Sequence, residues 1–165
     1  MSSDRGDPTR QGGLRPLRLL LSAMDDEIAR LYDERGVVGV RPRLTMPLIR
    51  LGRGGSLTIL QLAEALDVTH SAMSQTVNAL KRAGLVSTSP GADARTRVVA
   101  LTGRAEALLP LLEAEWRATE AAWADLEAEI PYPLSRVVTD IEAALTRLPL
   151  RDRIAQHLDA ADGRS

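Results

Sequence analysis

The sequence predicts a mainly α-helical chain with a small β-hairpin wing, a winged helix-turn-helix framed by N- and C-terminal dimerisation helices. Three observations predict it: two short amphipathic segments joined by a three-residue turn, two β-branched runs after them, and apolar seams towards both ends of the chain. The 165 residues are enough for one domain with a real core. The chain has no phenylalanine and only two Trp and two Tyr, so Leu, Val, Ile and Ala must build that core, which suits helices.

The helix-turn-helix begins at Thr58. Thr58 and Gln61 have the spacing of a capping box, in which each side chain satisfies a backbone N–H of the other residue. Residues 67–69 form a turn short enough to impose a steep crossing on the next helix. Thr69 is a suitable N-cap for this second helix, and Gly84 a suitable stop. The apolar side of the first helix is supplied by Leu62, Ala63 and Leu66.

The second helix, residues 70–83, separates apolar from polar side chains. At about 3.6 residues per turn, Met73, Val77 and Leu80 share one face. Amide side chains on the other face can pair bidentately with adenine and arginine with guanine, and the helix has no acidic residue to repel phosphate. His70, beside the cap, either contacts phosphate or senses pH, or is a surface histidine without a role. An ordinary solvated helix face is the alternative for the polar residues, which are Ser71, Ser74, Gln75, Asn78 and Arg82.

Two β-branched runs, residues 86–89 and 96–101, predict a hairpin with a longer loop. Arg95 lies at the predicted tip with Arg97 behind it, so it can enter a narrow minor groove, where the potential is most negative. Asp93 can hold the guanidinium group in an ion pair, and the alternative is a surface pair worth at most about 1 kcal/mol. The predicted DNA-binding residues are Thr69, His70, Ser71, Ser74, Gln75, Asn78, Arg82, Asp93, Arg95 and Arg97.

These residues resemble the MarR family of bacterial transcription regulators. The resemblance implies an obligate homodimer whose terminal helices intertwine and which binds a pseudo-palindromic operator in double-stranded DNA. It also implies repression that ends when a small molecule, often aromatic or phenolic, binds. The resemblance is carried by Leu57-Thr58-Ile59, Gln61-Leu62-Ala63, Val68-Thr69, Ser71, Ser74, Gln75, residues 80–86, Asp93, Arg95 and Leu101-Thr102.

Apolar residues at intervals of four and three predict three further helices. They span residues 16–34, residues 102–130, and residues 133–148 with a short extension to 158. Such seams need a partner, either another helix of the same chain or a second copy, and we expect a homodimer through the first and last helices. Two copies would recognise half-sites one helical turn, about 34 Å, apart. The predicted dimer interface consists of Leu17, Leu21, Met24, Leu134, Val138, Ile141, Leu145, Ile154 and Leu158.

Charge is segregated along the chain. Residues 53–104 carry six basic and three acidic side chains, whereas residues 105–165 carry six basic and twelve acidic ones. This asymmetry fits a molecule that presents one face to phosphate. The predicted organisation is a disordered tail at 1–13 and a single domain at 14–165, with the DNA-binding module at 43–104 and dimerisation helices at 14–35 and 105–160.

Residues 41–48 begin a helix that is expected to precede a flexible loop at 52–55. In the resembled family, ligands bind between the dimer helices and the DNA-binding module. The alternative is core packing for the apolar candidates and a solvated charge for the arginine. The candidates for lining an effector pocket here are Tyr32, Arg43, Met46 and Trp116.

The sequence contains no recognisable catalytic constellation. It has two histidines far apart and no cysteine, which excludes disulfides and thiolate metal sites, and residues 53–56 are too few and lack the lysine of a phosphate-binding loop. No stretch has the composition of a signal peptide or a membrane span. We therefore expect a cytoplasmic DNA-binding regulator without cofactor or metal. The alternative is a winged-helix module for protein–protein contact without DNA.

Overall fold

The computed structural model describes residues 12–37, 39–91 and 96–162. The prediction of a mainly α fold with a small β-hairpin is confirmed. Most of the predicted N-terminal tail, and the wing residues Asp93 and Arg95, lie outside the described residues. The elements in chain order are α1 (Arg15–Glu34), α2 (Pro42–Gly54), β1 (Leu57–Thr58), α3 (Ile59–Ala65), α4 (His70–Arg82), β2 (Val86–Pro90), β3 (Arg97–Leu101), α5 (Gly103–Glu129), α6 (Leu134–Arg147) and α7 (Leu150–Asp162).

The chain forms two compact units, Met1–Trp116 and Arg117–Ser165, with the boundary inside α5. The first unit contains α1 to α4, the strands and the start of α5, and the second contains the rest of α5 with α6 and α7. None of the helices in the described ranges combines the length and the hydropathy that a membrane crossing requires. The division into tail, DNA-binding module and dimerisation helices stays a prediction.

The first unit has an apolar core to which several of its helices contribute. Leu48 of α2, Leu62 of α3, Leu80 of α4 and Leu112 of α5 are fully buried. Burying one such side chain stabilises the fold by about 1.5–3 kcal/mol relative to leaving it exposed. Because the contributing side chains come from four different helices, α4 is anchored by tertiary packing as well as by its own hydrogen bonds.

The strands form a three-stranded antiparallel sheet in the order β1-β3-β2. The hairpin of β2 and β3 corresponds to the predicted wing, with Val86 opposite Leu101 and Pro90 opposite Arg97. Val99 of the central strand is fully buried. Strand β1 was not expected, since two residues are too few to show an alternating pattern.

The prediction of a flexible loop at residues 52–55 is wrong for residues 52–54, which are helical. Helix α2 continues to Gly54, and the chain leaves the helix at Gly55, whose φ is +72°. A Cβ on Gly52 would lie 2.5 Å from a methyl group of Leu109 in α5. The glycine at position 52 therefore leaves room for the Leu109 side chain of α5 and lies within a helix rather than in a flexible loop.

The second unit contains two separate helices where one helix with a short extension was expected. Leu148 precedes Pro149, whose ring disfavours helical backbone at the residue before it, and Leu148 is extended with φ −146° and ψ 106°. Helix α7 then begins at Leu150 and runs for 13 residues. Arg153 ties the two helices together, because its side chain donates to Leu148 O and Ala144 O, each at 3.0 Å.

Candidate nucleic-acid interface

Hydrogen bonds cap the helix-turn-helix as the sequence predicted. Thr58 N–H donates to Gln61 Oε1 at 2.9 Å and Gln61 N–H donates to Thr58 Oγ1 at 3.1 Å, which is the capping box at the start of α3. Thr69 Oγ1 accepts from Ala72 N–H at 3.2 Å at the start of α4. After α4, Gly84 has a φ of +69°, the left-handed conformation that commonly ends a helix.

The turn between the helices is made at Asp67, which has a φ of +52°. Aspartate enters the left-handed region more readily than most residues because its short polar side chain can bond locally. Val68 N–H then donates back to Ala63 O at 3.0 Å, so the chain reverses tightly before α4 begins. This turn supplies the change of direction that a helix-turn-helix requires.

Helix α4 has one buried face and one exposed face. Met73, Val77 and Leu80 are 3%, 2% and 0% exposed, which confirms the predicted apolar stripe. Ser71, Gln75, Asn78, His70 and Arg82 are exposed, and Ser74 is half-buried. The buried stripe thus fixes the rotation of the helix about its axis, so that the hydroxyl and amide groups of the opposite face point away from the core.

The electrostatics of this surface favour a polyanion. The last turn of α4 carries Lys81 and Arg82, and Arg97 is exposed at the start of β3. None of these three forms an ion pair within the described part of the chain, and Arg82 Nε donates only weakly, at 3.4 Å, to Asn78 O. Their charges therefore remain available to phosphate groups.

The four predicted effector-pocket residues do not share one cavity. Met46 and Trp116 line a cavity of about 210 Å³. Arg43 lines another, of about 260 Å³, beside Asp25 and Asp26. The remaining residues of the first cavity are Ile49, Arg50, Arg53 and Leu66.

At the edge of that apolar cavity, Arg53 forms an ion pair with Glu113, with 3.0 Å between Arg53 Nε and Glu113 Oε1. This hydrogen bond, together with the charge of Glu113, raises the pKa of Arg53. The cavity thus offers apolar walls and a guanidinium rim. That combination suits a small ligand with an apolar body and a polar group.

Tyr32, the fourth candidate, is completely buried in the first unit. Its hydroxyl donates to Glu115 Oε2 at 2.5 Å and lies 2.9 Å from Thr45 Oγ1. Burial and the hydrogen bond to Glu115 raise the pKa of Tyr32 well above its usual value. The side chain joins α1, α2 and α5 through polar contacts and has no surface to offer a ligand.

The residues predicted for the dimer interface are largely uncovered within each unit. In the first unit Leu17 and Leu21 are exposed and Met24 is half-buried. In the second unit no residue of α6 is buried, and Ile141 and Leu158 are 50% and 60% exposed. The other predicted interface residues of that unit are Leu134 and Leu145, which are half-buried, and Val138 and Ile154, which are exposed.

Two side chains that bind the chain after α4 were not predicted as functional. Thr102 Oγ1 donates to Gly84 O at 2.9 Å, and Arg104 Nη1 donates to Ala83 O at 2.8 Å. Both residues follow β3 directly, and the sequence marked Thr102 only as the start of the next helix. An arginine next to a threonine has no periodicity of its own, so only the tertiary structure brings the pair to the end of α4.

A sequence model of the MarR family matches residues 48–96, from α2 to the approach to β3. Among solved structures, the chain is similar to a MarR protein from Peptoclostridium difficile, with 19% identity, 89% of this chain and 91% of that chain covered, and a TM-score of 0.53. It is also similar to S. aureus MepR, solved as a DNA complex, with 19% identity, coverages of 82% and 94%, and a TM-score of 0.56.

A third similar structure is the M. tuberculosis transcriptional regulator MOSR, solved in complex with DNA, with 20% identity, coverages of 85% and 100%, and a TM-score of 0.58. At these identities the likeness shows a shared fold. A sequence search among curated proteins finds no match.

Proposed function

We propose that this chain is a DNA-binding transcription regulator of the MarR family, and that it is a repressor that binds a pseudo-palindromic operator as a homodimer; the match of residues 48–96 to the MarR family model supports this. Members of the family are regulators and not enzymes, in agreement with the prediction from the sequence. The cytoplasmic location expected from the sequence is part of the same proposal, since a regulator must reach its promoter.

The observation that carries the proposal is the two-faced helix α4. Gln75 and Asn78 are exposed while Met73 and Val77, on the opposite face, are buried. An exposed amide can pair bidentately with the adenine edge in the major groove, and such a pair discriminates against a wrong base by about 1–3 kcal/mol. We assign base reading to Ser71, Gln75 and Asn78. Contacts to phosphate and to the minor groove are assigned to Thr69, His70, Ser74, Arg82, Arg95 and Arg97, and Asp93 is assigned the role of holding the Arg95 guanidinium group in an ion pair.

A second copy of the chain is the partner we propose for the exposed apolar seams of α1, α6 and α7. Ile141 and Leu158 leave half or more of their surface uncovered, which is unfavourable in water unless another apolar surface covers it. A two-fold axis would bring two α4 helices to successive turns of the major groove, about 34 Å apart.

We further propose that a small-molecule effector releases the operator by binding in the cavity lined by Met46 and Trp116. The cavity has apolar walls from α2, α3 and α5 and the guanidinium groups of Arg50 and Arg53 at its rim. A ligand there would contact both α2 and α5. A ligand can shift the equilibrium between two arrangements of these helices only if it binds one arrangement more tightly than the other.

Selection of bound sites from a random duplex pool tests the proposal. We expect enrichment of one pseudo-palindrome with half-sites about one helical turn apart. Affinity for it should fall steeply with salt, because each phosphate contact releases counterions and contributes about −0.9 to the slope of log K against log salt concentration. Failure to enrich any duplex at low ionic strength would favour the protein–protein module instead.

Single substitutions separate base reading from phosphate binding. Gln75→Ala and Asn78→Ala should relax specificity at one position of each half-site by about 1–3 kcal/mol, whereas Arg97→Ala should weaken binding to every duplex and reduce the salt slope by about one. Gln156→Ala on α7 is the matched control, because it removes an exposed amide from the second unit. Unchanged specificity in both α4 variants would show that the recognition face is assigned wrongly.

A further inference from the structure

The chain immediately after α4 is bound by the residues that begin α5. Thr102 Oγ1 donates to Gly84 O at 2.9 Å and to Leu85 O at 3.3 Å, and Thr102 N–H donates to Leu85 O at 3.1 Å. Arg104 Nη1 donates to Ala83 O at 2.8 Å. Three consecutive carbonyls, at positions 83, 84 and 85, are therefore bound by two residues that lie about twenty positions later in the chain.

Arg104 is the charged member of this set, and it lies at the end of α4, where a positive charge is favourable. The last carbonyls of a helix have no partner inside the helix and carry the negative end of the helix dipole. A guanidinium group at this end both satisfies a carbonyl and stabilises the dipole. The pairing is a charge-assisted hydrogen bond, which is stronger than one between neutral groups.

The guanidinium group of Arg104 lies where three segments meet. A Cβ built on Gly39, in the loop between α1 and α2, would lie 3.9 Å from Arg104 Nη2 and 3.8 Å from the Cβ of Ala83. A Cβ built on Gly84 would lie 3.9 Å from Arg104 Nη1. The guanidinium group is thus close to the backbone on two sides. A basic side chain in such a place is already engaged in contacts within the protein.

From this geometry we propose that Arg104 is a positioning residue for DNA recognition, which fixes the end of α4 through Ala83 and does not contact phosphate. The inference rests on the proposed function of α4. Asn78 lies within the last two turns before Ala83, so release of this end would disturb the alignment of its amide with base edges. Arg104 belongs to the positively charged segment 53–104, so it would otherwise be assigned to a phosphate contact. The positioning role and the phosphate role predict different effects on DNA affinity.

Arg104→Met keeps most of the aliphatic stem and removes the donors, and Arg104→Lys restores one donor and the charge. Affinity is measured for the selected operator and for a scrambled duplex, each across a salt series. We expect Arg104→Met to weaken operator binding about tenfold, the lower end for a lost hydrogen bond to a charged group, and to leave scrambled-duplex affinity and the salt slope unchanged. Arg104→Lys should recover most of the operator affinity.

The control is Arg136→Met, which removes an exposed arginine from α6. It should leave the ratio of the two affinities unchanged. A phosphate role for Arg104 would instead weaken both duplexes equally and reduce the salt slope by about 0.9. Either that result or an unchanged affinity ratio in Arg104→Met overturns the proposal.

Amide hydrogen exchange without DNA makes the test independent of the proposed function. Arg104→Met should speed exchange of the Ala83, Gly84 and Leu85 amides about tenfold and leave the Gln61 amide, which caps α3, unchanged. Unchanged exchange rates of these three amides would contradict the proposal that Arg104 fixes the end of α4, even if the wild-type chain binds DNA. If the wild-type chain enriches no duplex, the proposed function fails and the DNA role of Arg104 fails with it, whatever the exchange shows.

Discussion

The two units of the chain differ in how much of their apolar surface they bury by themselves. The first unit encloses Leu48, Leu62, Leu80 and Leu112 completely, whereas α6 of the second unit has no buried residue. The amphipathic patterns of α4 and α6 are equally clear in the sequence. A pattern therefore specifies which face of a helix needs cover, and the rest of the chain decides whether that cover is supplied within the same unit.

The polar contacts of the second unit reinforce this contrast. Glu127 accepts hydrogen bonds from Ser135 N–H at 3.0 Å and Ser135 Oγ at 3.4 Å, which caps the start of α6. Arg153 fixes the junction between α6 and α7. These contacts define where the helices begin and end but leave their apolar faces open, so the second unit has defined secondary structure with little core of its own.

The largest effect is expected from Leu80→Ala in the first unit. Removing a fully buried leucine costs the transfer free energy and leaves a cavity, so the free energy of unfolding should fall by about 2–5 kcal/mol. Urea denaturation measures it, and the loss should not depend on protein concentration. Leu60→Ala is the control on α3, where the side chain is exposed, and should change stability by less than about 0.5 kcal/mol. Equal losses in the two variants would contradict the view that the buried core stabilises the first unit.

Ile141→Asp in the second unit should act on assembly. A charge in the proposed two-fold interface is desolvated in both copies, so we expect the dimer to dissociate about 100-fold more readily, or about 2.7 kcal/mol. Sedimentation over a concentration series measures it. Ala143→Asp adds the same charge on the opposite face of α6 and should leave the dimer intact. A wild-type chain that sediments as a monomer at micromolar concentration would contradict the proposed homodimer.

How much of the fold the sequence predicts depends on whether the interactions are local. The caps at Thr58 and Thr69, the stop at Gly84 and the faces of α4 all follow from residues within one or two turns, and all are confirmed. Strand β1 has only two residues and pairs with a strand about forty positions later, so no local pattern could show it. The contact that leaves no room for a side chain at Gly52 likewise comes from Leu109 of another helix, so no local pattern shows it.

The effector candidates show the same limit. The resemblance predicts Tyr32, Met46 and Trp116 for one effector pocket, because ligands of the resembled family bind between the dimer helices and the DNA-binding module. The bond that fixes Tyr32 in the core joins it to Glu115, 83 positions away, and a pairing of that range has no signature in either segment. Leu66, which lines the same cavity as Met46 and Trp116, lies 20 and 50 positions from them in the chain, so no local pattern brings it there, whereas Arg50 is one turn from Met46 on α2.

Tyr32→Phe tests this buried tie, and we expect it to lower the free energy of unfolding by about 1.5–3 kcal/mol, the range for a hydrogen bond to a charged group. Because the folded-state pKa of Tyr32 is raised, its stabilising contribution is complete below the unfolded value of 10.0 and declines as the pH rises above it. Stability measured from pH 8 to above pH 10 should therefore fall more for wild type than for the variant. Tyr132→Phe, an exposed tyrosine of the second unit, is the control. Equal pH profiles for wild type and Tyr32→Phe would contradict the buried tie.

The smallest effect is expected from Thr69→Ala, which removes the N-cap of α4 and should cost about 1 kcal/mol. Thr76→Ala is a matched control in the same helix. Its hydroxyl donates back to Ala72 O, a mid-helix contact that adds little stability. If the first unit holds α4 mainly by packing, the loss in Thr69→Ala should be clearly smaller than the loss in Leu80→Ala, and operator affinity should fall only slightly. A cap loss as large as the core loss would mean that local hydrogen bonds position the recognition helix, and the contrast between a packed unit and an uncovered one would then not explain why α4 is fixed.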